Sequence, residues 1–457
     1  MLPKKSSLAI VTFGVLILLL QLTKFARPFA PDAALDFRPR SSPVPEEPIR
    51  ARSQGASFGN KIVSVPRNPT GPNLIDQRDS LKAFYQALWR TEARQPGAVT
   101  RILHYGDSPV TADSITADAR ALLQEHFGDA GHGFVLIAKP WAWYGHRGVD
   151  VRGSGWHIEA ASQSRARDGL HGLGGVSFQG GTGASSQLVL HEDHARMEVK
   201  YLRQPGGGSL AVEADSSPIG KLETDGPEKQ PAFQMFDLPV GARDIQLTVE
   251  RGPVRIFGVS FEKDGPGVIY NSLGLNGGQV QMALRFFEKV QWAAELQHEQ
   301  PDLVVVNYGT NESLYADYIE RYYPGELREL LRRIQTAVPK ASVLVMSPMD
   351  RGERNSSGQI ATPATLPRLV EIQRQIAAET GCAFFNTFQA MGGEGTMARW
   401  YASQPRLVSA DFMHPLPAGA KKVGVLLDQA LESGFRQFKA RQEQRLAEQP
   451  PAKGREQ

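Results

Sequence analysis

Two hydrophobic rhythms divide this chain. In "LIDQRDSLKAFYQALWRTEA", Leu81, Phe84, Tyr85 and Leu88 recur at helical spacing and predict a first amphipathic helix. "RILHYG" is then a short apolar run, followed by a helix across 114–127 with Ile115, Ala119, Leu122 and Leu123 on one face. The same pairing returns further on: "GVIYNSLG" before "QVQMALRFFEKVQWAAELQ", "DLVVVNYG" before "YIERYYPGELRELLRRIQTA", and "SVLVMSP" before "TLPRLVEIQRQIAAET". Last, "AFFNTF" leads through a long loop to "PAGAKKVGVLLDQALESGF". Continuous apolar strands alternating with helices predict an α/β fold, a parallel sheet covered by helices on both faces.

Between residues 151 and 264 the rhythm changes. Glycine is dense, helical periodicity stops, and short strands such as "QLVLHE", "ARMEVKYLR", "SLAVEAD" and "DIQLTVE" alternate apolar with polar positions. That pattern predicts a β-sandwich inserted into the α/β domain. The α/β domain is thereby split into 73–150 and 265–440, and residues 441–457 read as a polar, frayed tail.

The N-terminus has its own character. Lys4 and Lys5 precede the uncharged run "LAIVTFGVLILLLQL", so 1–27 read as a transmembrane signal anchor, with a cleaved signal peptide as the alternative. Residues 28–72, rich in Pro, Ser and Arg, read as an extended linker. Both readings export the rest of the chain, to a periplasmic or other extracytoplasmic position at the inner membrane.

Composition adds exclusions. The 457 residues are 41% hydrophobic and 22% charged, as in a globular protein, and a formal charge of +3 gives no footprint for nucleic acid. The single cysteine, Cys382, excludes an internal disulfide and sits in the apolar "GCAFFN", where it reads as an inert core thiol. No Gly-Lys-Ser/Thr phosphate loop and no His-Glu-x-x-His occurs, so neither a nucleotide nor a metal is expected as cofactor. "GGVSFQG" around Ser177 lacks the second glycine of a nucleophile elbow.

Reactive groups of an open parallel sheet gather in loops at the carboxyl ends of its strands. Three such loops stand out: Gly106-Asp107-Ser108, "SLGLNGG" (272–278) and "GTNE" (309–312). Near the C-terminus, "ADFMHP" places Asp411 and His414 three residues apart. A serine hydroxyl needs a base, and the base needs a carboxylate to fix its tautomer. Ser108, His414 and Asp411 supply that set. The Ser108 N–H, at a helix start, with a glycine N–H of the second loop and the Asn311 amide, supplies donors for an oxyanion.

Those four motifs, in this order, resemble the SGNH (GDSL-type) hydrolase superfamily of esterases and acyltransferases. The resemblance implies a flavodoxin-like sheet, Ser108 as nucleophile, His414 as base, Asp411 as its partner, and an oxyanion hole of Ser108, Gly277 and Asn311. Gly277 fits better than Gly274 because it follows Asn276, and Glu312 stands where the family has Asp. An inserted sandwich is similar to that of exported peptidoglycan O-acetylesterases. The implied activity is metal-independent removal of O-acyl groups, foremost O-acetyl, from a cell-wall or exported polysaccharide. An O-acetyltransferase with the same triad, or a silent membrane-tethered polysaccharide binder, are the alternatives.

Other polar and aromatic clusters admit a plain packing role beside a functional one. Trp141, Trp143 and Tyr144 in "KPWAWYGHRG" suit sugar rings as a substrate-binding surface, or plug a domain interface. "HEDH" (191–194) reads as a solvated loop, because four adjacent residues cannot all converge on one ion. His126 and His132 read as structural.

Overall fold

The computed structural model describes residues 73–448. The expected anchor at 1–27, the linker at 28–72 and residues 449–457 lie outside them. Among the described residues no helix is long and apolar enough to cross a membrane.

The strands fall into two sets. In the α/β part, β1 (Leu74–Ile75) and β2 (Val99–Gly106) come first. The inserted set is β3 (Gly133–Val135), β4 (Val149–Ala160), β5 (Val176–Leu190), β6 (Arg196–Arg203), β7 (Ser209–Ala214), β8 (Ser217–Glu223), β9 (Gln230–Asp237), β10 (Asp244–Arg251) and β11 (Val254–Glu262). The α/β part resumes with β12 (Gly267–Gly274), β13 (Leu303–Asn307) and β14 (Ser342–Met346). A small hairpin, β15 (Glu353–Arg354) with β16 (Ile360–Ala361), precedes β17 (Ala383–Phe385).

The main sheet runs β1-β17-β14-β13-β2-β12. Its five longer strands are parallel, and only the two-residue β1 is antiparallel, on β17. The parallel order is that of flavodoxin-like sheets, with the switch point at β2 and β13. Side chains alternate between faces, as the two-residue strand period requires. Ile102, Leu303, Val305, Leu344 and Met346 join one core with the Lys82–Glu92, Thr116–Phe127 and Pro417–Ala447 helices. Leu103, Tyr105, Val304, Val306, Val343 and Val345 point into the other, with the Lys289–Glu299, Tyr323–Ala337 and Thr365–Thr380 helices.

The second core continues without a break into the inserted strands, through Phe134, Leu136, Leu173, Val176 and Phe178. There the long β5 joins two branches: Ser185–Val189 pair with β10, Phe178–Gly180 with β11. Its partner β4 changes register between Ser154 and Trp156, at Gly155, whose φ of +76° suits a glycine at such a bulge. The alternating burial of β7 and β10 gives one packed and one solvated face.

Several elements differ from the sequence expectation. The helix expected across 114–127 begins at Thr116, preceded by a one-turn helix Ser108–Thr111. The stretch after β12 is two helices, because Glu288 adopts extended backbone and caps the second, accepting hydrogen bonds from the Val290 and Gln291 N–H groups. "YIERYYPGEL" also breaks, with Pro324 in the first turn of the Tyr323–Ala337 helix, where its missing N–H costs nothing. The frayed tail expected from residue 441 is instead helical through Ala447, an extension of the Pro417–Ala447 helix.

Candidate active site

Three strand ends set the site. Gly106 at the end of β2 is in register with Gly274 of β12 and Asn307 of β13. The loops that follow therefore leave the sheet side by side. Gly106 allows the next turn to close: a Cβ there would lie 2.4 Å from Val110 Cγ2 and 3.2 Å from the Asn307 carbonyl. Gly274 is tighter still, since a Cβ would fall 2.0 Å from the Thr111 nitrogen. Ser108 opens the one-turn helix, with Pro109 pre-set for its first turn.

Ser108 Oγ lies 2.8 Å from His414 Nε2, and His414 Nδ1 lies 2.6 Å from Asp411 Oδ2. A carboxylate can only accept, so Nδ1 carries the proton and Nε2 presents its lone pair to the serine hydroxyl. The other Asp411 oxygen accepts from the Met413 and His414 N–H groups, both at 3.0 Å, and from the Ser409 hydroxyl. Burial pushes Asp411 up, but the hydrogen bonds from His414, Ser409 and those N–H groups outweigh it and hold the carboxyl well below the usual range. His414 is raised, first by the Asp411 hydrogen bond, against partial burial, with further attraction from Asp411 and Asp107. The loop itself is pinned by Ser409 N–H to His414 carbonyl at 2.9 Å and Gly352 N–H to Phe412 carbonyl at 2.8 Å.

The expected oxyanion donors occupy the adjoining loops. Asn311 Nδ2 donates to the Gly278 carbonyl at 3.0 Å, which ties the third loop to the second and, among the described residues, leaves its other amide hydrogen uncommitted. Gly277 has φ +68° with open space where a side chain would stand. Among the described residues, the Ser108 and Gly277 N–H groups have no hydrogen-bond partner.

Three further carboxylates shape the site. Asp107 is buried, which pushes it up to about 6 despite hydrogen bonds from Thr310 and the pull of His414. Glu312 accepts the Val280 N–H at 2.8 Å and so holds the start of the Val280–Phe286 helix, just past the glycine loop. Burial pushes Glu312 up to about 8. Asp113, at φ +51°, is gripped by Arg120 through two hydrogen bonds of 3.1 and 2.7 Å and also accepts from Thr116 Oγ1 and the Arg147 N–H. Nothing in the sequence marked Asp113, and Glu312 was legible only as a departure from the family's Asp, because the partners of both lie elsewhere in the chain.

The aromatic cluster is divided. Trp141 and Tyr144 are 6% and 7% exposed and belong to the second core, with Tyr144 Oη accepting the Leu136 N–H at 2.7 Å. Enclosed rings cannot stack on a sugar, which corrects the substrate-binding expectation for these two. Trp143 alone is open, at 50%. Cys382 is buried, as expected, with its thiol pushed up to about 11 by burial.

A hydroxyl, an imidazole and a carboxylate in hydrogen-bonded series at the carboxyl edge of a parallel sheet form a layout suited to nucleophilic acyl transfer. Residues 241–422 match the GDSL-like lipase/acylhydrolase family, and this makes the protein a carboxylic ester hydrolase carrying a domain of that family. The matched stretch holds Gly277, Asn311, Asp411 and His414; Ser108 lies before it, across the inserted strands. Among solved structures, the chain is similar to one titled "Peptidoglycan O-acetylesterase in action", at 22% identity and TM-score 0.67, over 78% of this chain and 96% of that one. This likeness shows a shared fold. A salicylyl-acyltransferase of a tetracycline biosynthetic pathway (14% identity, TM-score 0.31, 66% and 96% covered) and a carbohydrate-binding module of a Cellvibrio mixtus lichenase (15%, 0.19, 25% and 90%) are too distant to bear on function. No curated protein matches the sequence.

Proposed function

We propose that the protein is a serine esterase that removes O-acyl groups, foremost O-acetyl, from a cell-wall or exported polysaccharide. The observation that carries this reading is the Ser108–His414–Asp411 series of hydrogen bonds. Ser108 Oγ attacks the ester carbonyl while His414 Nε2 takes its proton, and Asp411 stabilises the imidazolium. The Ser108 and Gly277 N–H groups and the Asn311 amide receive the oxyanion. Collapse expels the sugar hydroxyl with a proton from His414, and water, activated by the same imidazole, releases the acid.

The polysaccharide substrate is supported by the fold shared with a peptidoglycan O-acetylesterase and by the apolar N-terminal run, which exports the chain to where such polymers lie. The test is acetate release by the full-length protein from O-acetylated peptidoglycan and a panel of acetylated glycans. Release that disappears in Ser108→Ala supports the reading. Equal release by Ser108→Ala, or none by the wild type from any of them, contradicts it.

A further inference from the structure

A cluster of imidazoles lies outside the hydrogen-bonded series just described. His132 directly precedes β3, His146 precedes β4, and Glu192 and His194 sit in the turn between β5 and β6. His132 and His194 are each 5% exposed, with ring centroids 4.7 Å apart; the His146 ring is 5.4 Å from that of His132. Among the described residues, the Nε2 atoms of all three are buried without a hydrogen-bond partner. Such orphaned polar atoms are uncommon and costly.

The tautomers are legible. His194 Nδ1 lies 3.1 Å from the Glu192 carbonyl and His146 Nδ1 lies 3.2 Å from the Arg147 carbonyl. A carbonyl only accepts, so each Nδ1 carries hydrogen and each Nε2 is left as a bare lone pair. A neutral imidazole oriented through its other nitrogen by a carbonyl is the form that ligates a metal. Glu192 Oε1 stands 3.1 Å from His132 Nε2 without the alignment of a hydrogen bond. The ligand atoms of His132, Glu192 and His194 all lie within 4.8 Å of one another. Gly148, at φ +93°, makes room for this packing, since a Cβ there would lie 2.4 Å from the His132 ring.

We propose that His132, Glu192 and His194 form a Zn²⁺ site that fastens the β5–β6 turn to the segment entering β3. Two imidazoles and one carboxylate suit this borderline ion, with bonds of roughly 2.0–2.2 Å. A tetrahedron of that size has edges of about 3.3 Å, so the ligands must draw together. Glu192 can make that movement, because its side chain is 44% exposed. Its second oxygen is 2.7 Å from Lys263 Nζ, which also pairs with Asp129 at 2.5 Å. That ammonium steadies the carboxylate from behind while the first oxygen turns to the ion. "HEDH" alone cannot surround an ion; two of its residues and a histidine 62 positions before His194 can.

The test uses the full-length protein, stripped with a chelator and titrated with Zn²⁺. One retained zinc per chain by elemental mass spectrometry, a zinc-dependent rise in Tm, and a visible ligand-field band on Co²⁺ substitution are expected. In Glu192→Gln and His194→Gln the retained zinc falls to background and the Tm rise vanishes, each variant being compared with its own metal-free form. Glu192 is in a surface turn, so its variant keeps the fold. No zinc retained by the wild type, or equal retention by both variants, overturns the site.

Discussion

At the scale of single residues, the proposed chemistry depends on where protons sit. In the proposed mechanism His414 must be neutral to accept the Ser108 proton, so its raised pKa, owed chiefly to Asp411, is expected to set the acid limb of the kcat/KM profile. Asp411→Asn removes that cause, so the limb moves to lower pH while kcat falls by about 10⁴-fold, as tautomer control is lost. An unmoved limb in a pH–rate profile contradicts this role. Asn311→Ala should lower kcat by about 10²–10³-fold with a smaller change in KM, the signature of a donor felt in the transition state. These residues were legible because each lies in a short local motif. Gly277 shows the limit: sequence supplied the glycine, whereas the open space over its Cα and its uncommitted N–H emerge only when three loops leave the sheet together.

At the scale of elements, buried carboxylates hold the loops. Glu312 is pushed up to about 8 from a usual 4.5, so folding favours its neutral form. The stability this gives is full below about pH 4.5 and is lost as pH rises towards 8. Glu312→Gln keeps an acceptor for the Val280 N–H but has no such titration. Urea unfolding at pH 5 and pH 8 should show a smaller loss for the variant than for wild type; parallel losses contradict the assignment. Asp113→Ala strands the buried Arg120 guanidinium and should cost about 3–5 kcal/mol in the same assay. A cost within 0.5 kcal/mol would show that the pair braces nothing. The periodicity gave every long parallel strand, since β2, β12, β13 and β14 each carry apolar residues on both faces. It missed β1 and β3, too short for any period, and it ran helices together where Glu288 and Pro324 break them.

At the scale of the whole molecule, the inserted strands share a core with the α/β part. Tyr105 Oη donates to the Leu173 carbonyl at 3.1 Å and accepts from Trp292 Nε1 at 3.0 Å, within a cluster that also holds Phe134, Val176 and Leu273. Calorimetry should therefore show residues 73–448 unfolding in one transition; two separate transitions contradict the shared core. The change of texture near residue 151 marked the insertion, but nothing local revealed that its apolar face continues the core of the domain it interrupts. Ser108 and His414 lie 306 positions apart on either side of that interruption, and the parallel sheet closes the gap to 2.8 Å. Labelling the full-length protein with a fluorophosphonate and mapping the adduct by peptide mass spectrometry tests that closure most directly. The account predicts a single adduct on Ser108, absent from Ser108→Ala and strongly slowed in His414→Ala; an adduct on another serine, or labelling indifferent to His414, would contradict it.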